Sequence, residues 1–379
     1  MLSLHRTLRD IDPNEWNRLA GENPFATHGW LLTVESCWRN KLEPSYFTLR
    51  QDGVVVAASV CYVASATTDA ETLDDMLFGR LARPARSFGL SFLPAFICGP
   101  ALGYGWHIGV DQRLSSADQD MVRGMVLDAI EAESRNLGLQ LHFVHLLDTE
   151  NTLQNLLRER GYLRCRNAPV AVLDVNWDSF EDYLSDLPAR RRREFRRQIR
   201  RNREAGNAIS LVESVPDDES RLLELVDNNA RKHNTYPFAF GPGFFHELKR
   251  NLGAEAWIFT SRRSGVIMGV SGSVVEGDNA YAFVVGVDHG IAGNDYTYFQ
   301  LLYYSLIAHA IESGTRHIFY GRGMYEIKLR RGCRLTDTWI YSREAAPRRQ
   351  ASASWFALAS FWNRYKLPRE ARRALGSRL

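Results

Sequence analysis

One order of elements occurs twice in this chain, and it limits the possible folds more than any other feature. From Phe299 to Glu312, apolar residues recur at helical spacing through Leu302, Leu306 and Ala310, and Gly314 stops the helix. His317 to Tyr320 then reads as a short buried strand. Gly321 and Gly323 read as a sharp turn, and Met324 to Arg331 as a second helix that carries Lys328 and ends at Gly332. Helix Ser116 to Asn136 with Gly138, strand Leu139 to Leu147 and helix Thr152 to Arg160 with Gly161 have the same order. Asn136-Leu137-Gly138 stands where Glu312-Ser313-Gly314 stands, and Arg160-Gly161-Tyr162 where Arg331-Gly332-Cys333 stands. The offset is roughly 170 to 176 residues in a chain of 379, which indicates a duplicated domain and not a short-repeat solenoid. The copies differ at the turn. The first has Asp148-Thr149-Glu150-Asn151 where the second has Gly321-Arg322-Gly323-Met324, and it has no lysine matching Lys328, so it reads as degenerate. The expected domains are therefore 1–168 and 169–346, followed by a basic amphipathic tail over 347–379.

With 45% hydrophobic and 24% charged residues, the composition is that of a globular chain. A net charge of +3 does not decide for or against a polyanionic partner; the distribution matters more. The five cysteines, Cys37, Cys61, Cys98, Cys165 and Cys333, are dispersed without a CxxC pair or ligand-like spacing, so no metal site and no disulfide framework is expected. The N-terminus lacks a basic stretch followed by an apolar core, and a cytoplasmic location is expected. The apolar region Phe88 to Val110 is broken by Pro94, Pro100 and glycines, and reads as buried strands and turns instead of a membrane span. Its aromatic residues suit core filling or a cavity wall, packing being the commoner use.

In the first half, Asp12 and Pro13 open a helix, a second follows over Gly29 to Cys37, and Ser45 to Arg50 and Val54 to Val63 form a meander. In the second half a strand, Val170 to Val175, precedes a helical stretch that Pro188 divides. The second piece carries Arg190, Arg191, Arg192, Arg193, Arg196, Arg197, Arg200, Arg201 and Arg203, with Phe195 and Ile199 on the packing face. Glu194 and Glu204 cannot neutralise nine arginines. The run is either a solvated basic face or a ridge for phosphate groups, with Arg192, Arg193, Arg196, Arg197 and Arg200 as the candidate contacts. A polar-aromatic loop, His233-Asn234-Thr235-Tyr236, suits either substrate contacts or turn formation. Strands over Ala256 to Thr260, Val266 to Val275 and Ala280 to Val287 form a second meander, and a loop with Asp295 leads back to the helix at Phe299.

This order resembles the GNAT acyltransferase fold, and two copies with a basic helix inside the second resemble its FemAB-like branch. Three patterns carry the likeness: the arginine helix after a strand, Arg231 to Leu248 with Phe244-Phe245, and Tyr320-Gly321-Arg322-Gly323 followed by Lys328 and Gly332. The resemblance implies an α+β fold of tandem GNAT-like domains, each a mixed, mostly antiparallel sheet flanked by helices. It also implies an enzyme that moves an aminoacyl group from aminoacyl-tRNA to an amine, hydroxylamine or hydroxyl of a cell-wall or natural-product precursor, without another cofactor. Lys328 would then offset charge on the donor carbonyl oxygen, the alternative being a solvent-facing lysine on an amphipathic helix. His233 is the candidate proton acceptor and Tyr320 a third catalytic candidate. Asn234, Tyr236, Tyr281, Asp295, Tyr298, Arg322 and Glu326 are the candidate substrate contacts. An acyl-CoA or acyl-carrier-protein donor is the alternative, although Val287 to Ala292 departs from the pyrophosphate loop of CoA-dependent relatives, and Asp295 adds an acid there. A catalytically dead protein that binds RNA or an envelope precursor is a reading of another class. The C-terminal tail suits packing on the core or contact with a membrane surface or partner.

Overall fold

A computed structural model describes residues 1–38, 42–65, 73–87, 91–216, 219–232, 239–343, 349–365 and 367. The chain forms two compact units, Met1–Pro169 with Thr336–Leu379, and Val170–Leu335. In the first unit, β1 (Leu2–His5), β2 (Pro44–Gln51), β3 (Val54–Ala64) and β4 (Ala95–Cys98) pair antiparallel in that order, with the short β5 (Gly109–Val110) also on β3. Helix Ser116–Leu137 crosses over to β6 (Gln140–Leu147), which runs parallel to β4. The chain passes into the second unit within β7 (Leu163–Asp174).

The second unit has the same plan. β8 (Ala208–Leu211), β9 (Ala256–Arg263), β10 (Val266–Glu276) and β11 (Asn279–Val287) pair antiparallel, and a helical crossover leads to β12 (His317–Phe319), parallel to β11. The last residues of β7 pair antiparallel with β12. This is the mixed, mostly antiparallel α+β architecture expected from the sequence.

Glycine stops the crossover helix in each copy. Gly138 (φ +66°) and Gly314 (φ +74°) take the left-handed conformation that a Cβ would disfavour. The apolar stripes of these helices enter separate cores: Val122, Val126 and Ile130 with Phe96 and Phe143 in one, and Leu301, Leu306 and Ala310 with Leu173 and Ile318 in the other.

Some boundaries differ from the sequence reading. β13 (Arg334–Arg343), which that reading kept in the second domain, pairs antiparallel with β6 and lies between β6 and β7 in the first unit, where Thr338 Oγ1 donates to the Ala168 carbonyl at 2.9 Å. The following helix, Arg349–Tyr365, belongs to the first unit too, with Phe356 and Ala359 in an apolar cluster beside Ile340. Leu73–Phe78, between β3 and β4, is helical. The division at Pro188 appears as two helices, Phe180–Asp186 and Ala189–Glu204. No helix among the described residues is long and apolar enough to cross a membrane.

Candidate active site around the lysine turn

β12 pairs with β11 over three residues only, Asn279 to Tyr281 against His317 to Phe319, while β11 continues to Val287. Beyond that short pairing the chain turns through Gly321 (φ +66°), Gly323 (φ +75°) and Met324 (φ +49°). Three left-handed residues in so short a span turn successive carbonyls toward one point. Met324 has a side chain and pays strain there, as residues at functional turns often do. It therefore lies outside the helix expected from Met324, which is the shorter Tyr325–Leu329.

Lys328 on that helix reaches the point of convergence. Its Nζ donates to the carbonyls of Tyr320 (2.7 Å), Gly321 (3.1 Å) and Arg322 (2.9 Å), and the residue is 4% exposed. An ammonium has three N–H donors, and here all three are used. Burial lowers its pKa from the ordinary lysine value to about 8. Lys328 is thus neither solvent-facing nor free to polarise a carbonyl. It fastens the glycine turn, and any contact with a substrate oxygen requires exchange of one of these bonds.

The remaining candidates separate into distinct environments. Tyr320 is buried with an unpartnered hydroxyl, and burial holds that phenol well above its ordinary pKa, so it is a donor and not a base. Tyr281 is buried and stacks on Phe319 with centroids 4.2 Å apart, which gives its ring a packing role. Tyr298 is half-buried against Phe299 and Tyr303. Arg322 is half-buried and supplies a carbonyl to Lys328, whereas Glu326 is exposed and pairs with Arg330 at 2.6 Å. His233, Asn234 and Tyr236 lie outside the described residues.

Asp295 has an internal role in place of the substrate contact expected of it. It is buried, and its carboxylate accepts from Thr297 N (2.9 Å), Thr297 Oγ1 (2.8 Å), Asn207 Nδ2 (2.9 Å) and Arg263. Asp288 similarly accepts from the N–H groups of Gly290 and Ile291 and pairs with Arg221 at 2.6 Å. The loop between β11 and the crossover helix thus directs backbone donors at the chain's own carboxylates, where a pyrophosphate loop would leave them for an anion.

The arginine helix buries Phe195, Gln198 and Asn202 and exposes the opposite face. The polar pair is buried because each has a partner: Gln198 accepts from the Tyr304 hydroxyl, and Asn202 donates to the Asp295 carbonyl at 3.1 Å. Arg196 pairs with Glu181, and Arg200 lies 3.7 Å from Glu204. Arg192 donates to the Ser185 carbonyl at 2.8 Å. Arg190, Arg193, Arg197 and Arg201 are exposed, follow one another at i+3 and i+4 along one stripe, and have no ion pair among the described residues. Of these, the sequence selection included Arg193 and Arg197 but not Arg190 or Arg201; helical periodicity would have identified them.

The helix between β11 and β12 contains a π-helical segment, Gln300–Ser305, a local widening common at functional sites. Its Tyr303 and Tyr304 are buried beside Arg331, which sequence reasoning did not single out. No group of three or more His, Cys, Asp or Glu among the described residues could hold a metal ion.

A family model described as FemAB-like, peptidoglycan biosynthesis/recognition, matches residues 7–359. No curated protein matches the sequence. Among solved structures, the chain is similar to the C-terminal domain of a protein assigned as a lysylphosphatidylglycerol synthetase from Agrobacterium fabrum, at TM-score 0.56 and 13% identity over 92% of this chain and 96% of that one. It is also similar to FemX, at 0.55 and 10% over 90% and 96%, and to L-PGS from Bacillus licheniformis, at 0.54 and 12% over 94% and 97%. At these identities the likeness concerns the fold.

Proposed function

The chain belongs to the FemAB-like family of peptidoglycan biosynthesis/recognition proteins, and on that premise we propose that it transfers an aminoacyl group from aminoacyl-tRNA to a nucleophilic nitrogen or oxygen of a cell-wall or natural-product precursor. The observation that carries this reading is the stripe of Arg190, Arg193, Arg197 and Arg201, exposed and without carboxylates among the described residues. Successive members stand about 5–6 Å apart on a helix surface, which suits a ladder of backbone phosphates. The Asp288 and Asp295 carboxylates favour this donor over acyl-CoA, because they already take the donors a pyrophosphate would need.

In the reaction, the acceptor's lone pair attacks the ester carbonyl carbon, and collapse of the tetrahedral species breaks the bond to the ribose oxygen, which leaves with a proton. Lys328 contributes by holding the turn and, through exchange of one carbonyl bond, by donating to the oxyanion, an interaction worth about 3 kcal/mol in comparable sites. That role needs the ammonium, so transfer should decline as pH rises through about 8, the value to which burial brings Lys328.

The test is filter retention and label transfer with a charged tRNA pool, beside calorimetry with acetyl-CoA. The acceptor panel includes phosphatidylglycerol, the lipid in the name of the Agrobacterium fabrum protein. Replacing Arg193, Arg197 and Arg201 by Ala should weaken retention and reduce the slope of log affinity against log salt by about 2–3. Tight acetyl-CoA binding without tRNA retention overturns the reading.

A further inference from the structure

Arg331 is 2% exposed and lies wholly within the second unit, close behind the lysine turn. A guanidinium has five N–H donors. Here Nη1 donates to the Ile327 carbonyl (3.0 Å), Nη2 donates to the Tyr304 hydroxyl (3.1 Å), and the buried Nε has no partner. The ring centroids of Tyr303, Phe299 and Phe195 lie 4.3, 4.6 and 4.7 Å from its central carbon. No carboxylate pairs with it among the described residues. Two more buried donors accompany it: the hydroxyls of Tyr303 and Tyr320 are unpartnered, and their rings are 4.9 Å apart.

The duplication shows what an arginine at this place pairs with. Arg160 directly precedes Gly161 as Arg331 directly precedes Gly332. Asp128 stands ten residues before the helix-stop Gly138, and Tyr304 ten before Gly314; Glu131 and Ile307 stand seven before. In the first copy Arg160 pairs with Asp128 and lies 3.7 Å from Glu131. In the second copy those two acids are a phenol and an alkyl group, yet the cation is retained in a more enclosed setting. A buried cation needs a compensating charge, and aromatic faces supply only part of it.

We propose that Arg331, with the Tyr303 and Tyr320 hydroxyls, forms a binding site for the carboxylate of a small monoanionic molecule. This carboxylate stands in for the acids that Asp128 and Glu131 supply in the first copy. The chemistry favours a carboxylate over a phosphate. A single negative charge balances a single guanidinium, two in-plane oxygens match the Nε edge and a phenol, and a dianion would leave net charge among apolar rings. Tyr320 joins this site to the turn, since its carbonyl is held by Lys328.

Three measurements on the full chain test this. Sodium acetate is the probe, acetamide its neutral counterpart, and bromide a monoanion that anomalous scattering can locate in soaked crystals. Acetate should raise the melting midpoint saturably, acetamide should not, and the response should vanish in Arg331→Met and weaken in Tyr320→Phe. Bromide should appear within hydrogen-bond reach of Arg331 Nε. An equal acetate response in wild type and Arg331→Met overturns the proposal, and so does a crystal without bromide at Arg331. The crystal needs no variant, so a misfolded Arg331→Met still leaves a decisive readout. None of these assays involves tRNA or acyl transfer, so their failure is distinguishable from failure of the function proposed above.

Discussion

After β6 in the first unit, the Leu147 N–H is held by Glu150 Oε2 at 2.8 Å, and the other oxygen of that carboxylate meets His107 Nδ1 at 2.9 Å. After β12 in the second unit, the corresponding turn offers three carbonyls, and Lys328 holds them. One frame thus fastens the same bend with an acid in one copy and a base in the other. The difference follows from the glycines. Gly321 and Gly323 adopt positive φ and turn carbonyls inward, whereas 148–151 has no glycine and no residue at positive φ, and its Glu150 side chain turns back to the N–H of Leu147. The arginines that follow differ in the same spirit: Arg160 is partly exposed and paired with an acid, Arg331 enclosed and without a carboxylate partner among the described residues. A duplicated scaffold can keep its backbone plan while the sign and pairing of its buried charges are rewritten.

The severest way to break this comparison is Lys328→Met, which leaves three carbonyls without their donor. At about 1–3 kcal/mol for each unsatisfied group, the bond to Tyr320 being buried and the other two partly so, urea denaturation should show a loss of about 3–9 kcal/mol, nearer the lower end. A loss below about 1 kcal/mol would mean that water replaces the ammonium and that the lysine does not fasten the turn. Glu150→Gln tests the other copy. Burial alone would lower the His107 pKa, but the Glu150 carboxylate, joined by Cys98 and the Val144 carbonyl, outweighs it and the net value is raised to about 8. The stabilisation is full below about pH 6.5, the unfolded value, and is lost as pH rises through about 8. The raised pKa corresponds to about 2 kcal/mol, and Glu150→Gln should flatten stability against pH over that window. An unchanged profile would detach His107 from Glu150. The smallest effects belong to the arginines. Arg160→Met should cost about 1 kcal/mol or less, as expected of a partly exposed pair. Arg331→Met should be near neutral or stabilising in anion-free buffer, because its removal leaves no carboxylate unpaired. Urea midpoints for the two variants, measured side by side, decide this.

Much of the frame was legible in the sequence because it depends on local rules. Gly138 and Gly314 announce helix ends, Pro188 divides two helices, and period-two runs mark the meanders. The site was legible only as a place. Spacing puts Lys328 near the turn, but nothing in the spacing tells that its acceptors are the turn's own carbonyls. Asp295 read as a substrate contact because a loop carboxylate beside glycines gives no sign of Asn207 and Arg263, which arrive from elsewhere in the chain. Arg331 passed for an ordinary basic residue at a helix C-terminus, since burial among Phe195, Phe299 and Tyr303 is a tertiary fact.

The position of β13 has a consequence for synthesis on the ribosome. The strand that lies between β6 and β7 is contributed by residues 334–343, so the first unit cannot finish its sheet until the whole second unit and these residues have emerged. Until then the β6 edge offers unpaired N–H and C=O groups to any passing strand, a hazard for aggregation. A nascent chain stalled before residue 334 should therefore engage chaperones, and release by ten further residues should mark the step at which the N-terminal unit becomes protease-resistant.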